Sequence, residues 1–474
     1  MVMCGRVKPG VKEYAPVCLL GIALIASGDA LAASQDGGLA VGRDGKFHPA
    51  IGVGLEASSN AYLLEDTATN PAVAATNLMF NPSFRLDLPA QAFDLTLSSS
   101  LTARKYLTKT TRNLDRASDT TNQLRLNVLP DGVVGLKVNE GFSVENRPTE
   151  TPNAGNTGDT TDSSARAFLT QLDNDLSAFV SVHPKGALTV DVGGTFVFDN
   201  YWANPDATVT GDAFLNSRTL VGPQLNAQWA FFPKTALVGQ FGYERFNWVN
   251  NVINTQSGEG STAEGASLEF PYDALAKPDG QSWRLGVGLA GRITRKLVVD
   301  TMVGYGQLRY DPDSVTEFAA NHDMTELLAG TTGWEDASLT SFAGGLNLSA
   351  MLAYSPAKRH TLSAGYVKDY TDSWFTNYLH YHYLFGRYEA EIGRRIGTQV
   401  EFGYRRETYE GQVSRQDNVV RLDGEVTYHA MDWMDVTGSV GWRRRAATRN
   451  PDYALQSSRE YDNVVGGLVF TFMY

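Results

Sequence analysis

From Gln399 the chain reads QVEFGYRRET, with Val400, Phe402 and Tyr404 on one parity and Gln399, Glu401, Arg405 and Glu407 on the other. A period of two sends these sets to opposite faces of a β-strand. In ALTVDVGGTFVF, Leu188, Val190, Val192, Phe196 and Phe198 oppose Thr189, Asp191 and Thr195. Full charges recur on the second face along the chain, at Arg85, Asp87, Arg104, Arg125, Lys137, Asp173, Glu244, Arg284, Asp300, Arg387, Glu389, Arg421, Asp423 and Arg443. No packed sandwich interior holds such a set, so one face must meet water and the other something apolar.

The strands are joined by eight very short turns, among them Leu129-Pro130-Asp131-Gly132, Phe232-Pro233-Lys234-Thr235 and Arg394-Arg395-Ile396-Gly397, which alternate with nine longer polar connections. Pro, Gly and Asp set turn geometry and interrupt the ladder. Eight turns and nine loops make 17 connections and therefore 18 strands, with both ends of the chain on the side of the short turns. The strands read as 10 to 15 residues long, enough for a tilted membrane-spanning strand of about 9 to 11 residues. The pattern predicts an all-β fold: a single transmembrane antiparallel β-barrel of about 18 strands, with short periplasmic turns and long extracellular loops. The competing soluble sandwich would turn its charged face outward, but it has little need of strands this long.

Aromatic residues gather at two depths. Phe231, Phe232, Tyr354, Tyr428 and Trp433 lie by the short turns, and Tyr201, Trp202, Trp248, Tyr310, Trp374, Tyr378 and Trp442 lie near the long loops. Two such belts are what lipid interfaces select. The chain ends VVGGLVFTFMY, with Val464, Gly466, Leu468, Phe470, Phe472 and Tyr474 sharing a parity. This strand is expected to close the ring against a first strand near Ile51, Val53 and Leu55, leaving no unpaired edge in hydrocarbon. Phe470, Phe472 and Tyr474 also resemble the terminal signal read by the bacterial outer-membrane barrel assembly machinery.

At the other end, Arg6, Lys8 and Lys12 precede the apolar run Ala15 to Ala26, and Ala30 and Ala32 supply small residues. Residues 1–32 read as a cleaved signal peptide, 33–46 as a short periplasmic segment and 47–474 as the barrel. The run is too short to span about 30 Å of hydrocarbon as a helix. The two cysteines, Cys4 and Cys18, fall inside the signal, so the mature chain carries no disulfide. The formal charge of -12 argues against a nucleic-acid partner. The expected localisation is the outer membrane, with its lipid as solvent.

Sites of chemistry are scarce. GVGLAG, from Gly286 to Gly291, matches a dinucleotide-binding string, but a turn and another strand follow where a helix would be needed. No metal-ligand set, nucleophile motif or cofactor motif occurs, and no enzyme activity or cofactor is expected. His380 and His382 invite comparison with a hydrolase rim, yet their parity continues into Leu384, Tyr388 and Ile392, which turns them toward lipid. Tyr381, Tyr383 and Phe385 then face the lumen, either as a stacking track for sugar rings beside Arg387 and Glu389 or as packing for an infolded loop. Asp311 to Ala337 carries seven acids and no Lys or Arg. It reads as a solvated loop, a constriction or a cation-binding surface.

Segments such as LNAQWAFFPKTALVGQFGYERFNW and LGVGLAGRITRKLVVDTMVGYG resemble the β-barrel porin families that accompany exopolysaccharide gene clusters, and the likeness runs diffusely over 46–474. The resemblance implies an outer-membrane exit for a secreted polysaccharide, served by a periplasmic polysaccharide-export partner. The residues themselves also allow a diffusion porin for small polar solutes, with the charged face lining the path and paired across strands. An outer-membrane hydrolase is the third alternative.

Overall fold

The structure is a computed structural model that describes residues 38–42, 44–61, 72–107, 118–148, 168–184, 187–203, 216–250, 279–311, 345–372, 378–410, 415–448 and 460–474. The expected signal peptide and the acidic stretch 312–337 lie outside the described residues.

Nineteen strands form one sheet: β1 (Leu39–Val41), β2 (Gly45–Ser58), β3 (Ala75–Pro89), β4 (Phe93–Tyr106), β5 (Ser118–Val128), β6 (Val134–Pro148), β7 (Phe168–Val182), β8 (Leu188–Ala203), β9 (Asn216–Phe232), β10 (Thr235–Asn250), β11 (Gly280–Arg292), β12 (Leu297–Tyr310), β13 (Gly345–Ala357), β14 (His360–Asp372), β15 (Tyr378–Ile392), β16 (Ile396–Glu410), β17 (Arg415–Met431), β18 (Met434–Thr448) and β19 (Tyr461–Met473). β1 folds back on the start of β2, Leu39 opposite Phe47. From β2 onward each strand pairs antiparallel with the next, and β19 returns to β2 with Met473 opposite Ala50, Phe470 opposite Val53 and Leu468 opposite Leu55. Eighteen strands thus close into a barrel, and the opposed apolar residues predicted for the seam form it.

The two faces are inverted relative to a soluble protein. Leu285 is 57% exposed and Val287 54%, whereas Glu401 is 4% exposed and Asp417 0%. In a closed ring the enclosed face is the more buried one, so the apolar parity lies outside and the charged parity inside. Within each strand side-chain period fixes this choice; a slip of one residue would reverse it everywhere.

All eight predicted turns join consecutive strands. The connections at the opposite end are unequal. Residues 251–279 and 311–344 separate β10 from β11 and β12 from β13, whereas only 373–377 and 411–414 follow β14 and β16.

Pro82 lies inside β3 and cannot donate to the ladder. Pairing with β4 is broken between Phe80 opposite Ala103 and Ser83 opposite Ser100. The Asn81 side-chain amide donates to the Thr102 hydroxyl at 2.8 Å across the gap, restoring a link on the inner face. The GVGLAG string lies within β11, where Gly288 approaches the Thr301 carbonyl too closely for a side chain and Gly291 has φ of 150°. Its glycines serve sheet packing.

At the turn end Phe232, Tyr354, Tyr428 and Trp433 are exposed, and Trp433 stacks on Phe472 at 6.2 Å. At the loop end Trp442 donates its indole N–H to Asp462 at 2.7 Å. Tyr310, expected in that belt, is instead buried. It shares the inward parity of Leu308 and Gly306, so its ring packs edge-on against Phe246 at 5.8 Å inside the barrel. The side chains of Tyr201, Trp202, Trp248, Trp374 and Tyr378 lie outside the described residues.

Candidate functional site: the inner wall

Every charged residue singled out in the sequence falls on the inward parity, and the register brings most of them into a few connected groups. On β15 to β17, Arg387 pairs with Glu389 at 2.9 Å and with Glu401 at 3.8 Å, and it donates to Gln399 at 2.8 Å. Arg405 meets Glu407 at 2.9 Å, and Arg421 pairs with Asp423. Arg445, on β18, bridges Asp417 at 2.6 Å and Glu407 at 3.1 Å with all three side chains buried. The carboxylates are therefore distributed among several guanidiniums whose planar forks favour such bridging. Arg443 stands opposite both Arg421 and Asn463.

On β2 to β5, Arg104 pairs with Asp119 and reaches Glu56 at 3.9 Å, while Arg85 pairs with Asp87 at 2.9 Å. Arg125 sits opposite Thr96 and Asn139. The sector from β6 to β10 is richer in acid. Lys137 bonds Asp191 at 3.1 Å, where Ser181 also donates, and Arg218 holds Asp199 at 2.5 Å. Asp173 stands opposite Asp199, and Glu244 accepts from Ser282 at 3.4 Å. Asp300 lies between Ala290 and Met351 on neighbouring strands. Counting along the ring, β7 and β8 lie across from β16 and β17.

The aromatic run on β15 divides. Tyr381 is buried and carries the Arg405 guanidinium 4.4 Å above its ring. Tyr383 and Phe385 stack on one another at 5.4 Å with planes 23° apart. The far edge of Phe385 occupies the space a side chain would take at Gly365, and that of Tyr383 does so at Gly403. Both rings thus lean along the wall, where a Cβ at Gly365 would collide with the Phe385 ring and one at Gly403 would meet the Tyr383 hydroxyl at 3.0 Å. His382 accepts or donates a 2.7 Å hydrogen bond with the Tyr366 hydroxyl and shares the outer parity of exposed Leu384.

One feature was not predicted. Leu220, Phe246, Leu308, Tyr310 and Tyr370 form a buried apolar cluster against Val197, inside the barrel near its loop end. Tyr370, 1% exposed, lies beyond the last pairing of β13 with β14 at Leu348 and Lys368. It reaches over the end of β13 to Gly306, and the Arg284 guanidinium sits 5.0 Å from its ring and donates to its carbonyl at 2.8 Å. Arg284 also approaches Asp369 at 3.8 Å. The only hint of this cluster in the sequence is the presence of large apolar residues on the polar parity of β9, β10 and β12.

Among the described residues no group of three or more His, Cys, Asp or Glu is arranged to hold a metal ion. No helix among them is long and apolar enough to cross a membrane, which leaves the strands as the element to consider.

The chain has the inside-out architecture of a transmembrane β-barrel. No family model matches it, and no curated protein matches its sequence. Among solved structures it is similar to the FrpB iron transporter of Neisseria meningitidis (F5-1 variant), with 8% identity over 90% of this chain and 82% of that one and a TM-score of 0.44. It is also similar to OpdQ of Pseudomonas aeruginosa, at 11% identity, 91% and 98% coverage and a TM-score of 0.42, and to OccAB4 of Acinetobacter baumannii, at 10%, 90% and 98%, and 0.41. Likeness at this level concerns barrel shape and nothing finer.

Proposed function

We propose that this protein is an outer-membrane channel that passes polar solutes through a mixed-charge lumen, favouring cations over anions. The observation that carries this reading is the inversion of faces in a closed ring of eighteen strands, with an exposed apolar exterior and a charged interior. Barrels of this size leave an aqueous bore, and an apolar outer surface of such extent is stable only in lipid. The signal-peptide pattern and aromatic belts fit the same compartment, with turns toward the periplasm and loops outward. Acidic side chains on β6 to β10 favour the approach of cations, and the paired arginines on β15 to β18 are largely neutralised by their carboxylates.

The purified barrel in planar bilayers is expected to give stepwise conductance. Under a potassium chloride gradient its reversal potential should have the sign of cation preference. A silent bilayer would overturn the channel, and an anionic reversal potential the selectivity.

Passage of a secreted polysaccharide is a second reading, and the platform of Tyr383 and Phe385 beside Arg387 and Gln399 favours it. Sugar rings stack on such surfaces while hydroxyls bond polar neighbours. A neutral glucan oligomer added to the same bilayer should produce transient blocks, shortened in the Tyr383→Ala, Phe385→Ala double variant. Blocks of equal duration in both proteins would remove this reading and leave the porin.

A further inference from the structure

The turn end of the barrel is electrically lopsided. Three consecutive turns each carry an exposed dibasic pair: Arg295 and Lys296 between β11 and β12, Lys358 and Arg359 between β13 and β14, and Arg394 and Arg395 between β15 and β16. Lys234, exposed in the preceding turn, extends the arc. Elsewhere on this rim the turns carry Ala90 and Gln91, Asp131, and Asp432; Lys185, in the β7–β8 turn, lies outside the described residues. The chain as a whole is acidic, at -12, so the arc does not follow from composition.

The arc is held in place. The carbonyls of Lys296, Arg359 and Arg395 accept backbone N–H bonds at 2.8, 2.9 and 2.8 Å from Ser355, Glu391 and His429 on the next hairpin. The Lys296 ammonium donates to the Pro356 carbonyl at 2.8 Å, and Arg359 approaches Glu391 at 3.8 Å. Glu391 is the one carboxylate that these ion pairs give to the arc, so like charges confront one another across adjacent turns. Their repulsion is relieved by salt, whose screening length is about 8 Å under physiological conditions, or by an anionic occupant.

We infer that this arc is a docking surface for an acidic patch on a folded periplasmic protein. The inference rests on the membrane orientation proposed above. A lipid leaflet surrounds a barrel evenly, whereas these charges occupy one contiguous sector and give way to Asp432 in the very next turn. An anionic polymer entering the bore would next meet Glu389 and Glu401 on the wall behind the arc, two carboxylates that share the single guanidinium of Arg387 and leave an excess of negative charge against it. An occupant that remains outside the bore meets no such opposition. Electrostatic complementarity of this kind sets orientation and association rate.

The first test uses the barrel in phosphatidylcholine nanodiscs and fluorescein-labelled poly-L-glutamate as the probe. The variant R295E/K296E/R394E/R395E is expected to bind it roughly tenfold more weakly than wild type, and wild-type binding should fall between about 50 and about 300 mM salt. Equal binding by the two proteins would overturn the proposal. In cells, a photocrosslinking residue at Lys358 should yield an adduct with an acidic protein that is absent when the crosslinker is at Asp131 and lost on reversal of the flanking pairs. Adducts with lipid or polysaccharide alone, or equal adducts at both positions, would overturn it. Planar-bilayer conductance separates the two readings. A conducting wild type with no arc-dependent binding refutes only the docking surface, and a silent wild type refutes only the channel.

Discussion

Arg445→Met is expected to destabilise the barrel by about 3 to 5 kcal/mol, the usual cost of removing one member of a buried ion pair. Arg445 is the cation between Asp417 and Glu407, at 2.6 and 3.1 Å, and Asp417 has no exposed side-chain surface at all. Its Nε also donates to Asp417 at 2.8 Å. Methionine fills much of the volume but leaves the Asp417 carboxylate buried without its guanidinium. Arg405 continues to serve Glu407 at 2.9 Å and limits the damage to one side of the cluster. Denaturant unfolding of the barrel in detergent micelles measures the loss. Arg85→Met provides the contrast: its partner Asp87 and Arg85 itself are both partly solvated, so the change should be within about 1 kcal/mol. Equal midpoints for the two variants would show that the buried cluster has no special weight.

A chain stopped after Leu468 is expected to accumulate no closed barrel. The truncation removes the pairs of Gly54, Val53, Gly52, Ile51 and Ala50 with Val469 through Met473. In hydrocarbon each backbone group so released costs several kcal/mol, because no water is present to replace its partner. The heat-modifiable folded band on electrophoresis of membrane fractions reports closure, and its persistence in the truncated protein would refute the seam. Phe470→Leu with Phe472→Leu separates pairing from recognition. If the aromatic residues act as an assembly signal, this variant refolds in detergent yet fails to appear folded in the cell.

The strand count, the eight turns and the assignment of faces were legible because all three depend on local rules: period two, turn chemistry and the parity of charge. Val400, Phe402 and Tyr404 lie outside and Glu401 and Arg405 inside, as their alternation requires. The inner apolar cluster was not legible. Leu220, Phe246, Leu308 and Tyr370 stand on different strands, and nothing local shows that they meet. Tyr310 illustrates the limit in a single residue: its place near a loop suggested the lipid interface, while its parity sends it inward. The rings of Tyr383 and Phe385 lean toward glycines in neighbouring strands, a coincidence visible only once register is fixed.

The closing pair, Met473 with Ala50, also imposes an order in time. β19 leaves the ribosome after every other described strand, so β2 has one side without its native neighbour until then. Contacts this distant along a chain form slowly, and an open apolar edge is a template for association with other chains. A chain of this topology therefore holds one apolar edge open until the last described strand arrives, and the ring can close only at the end of its synthesis.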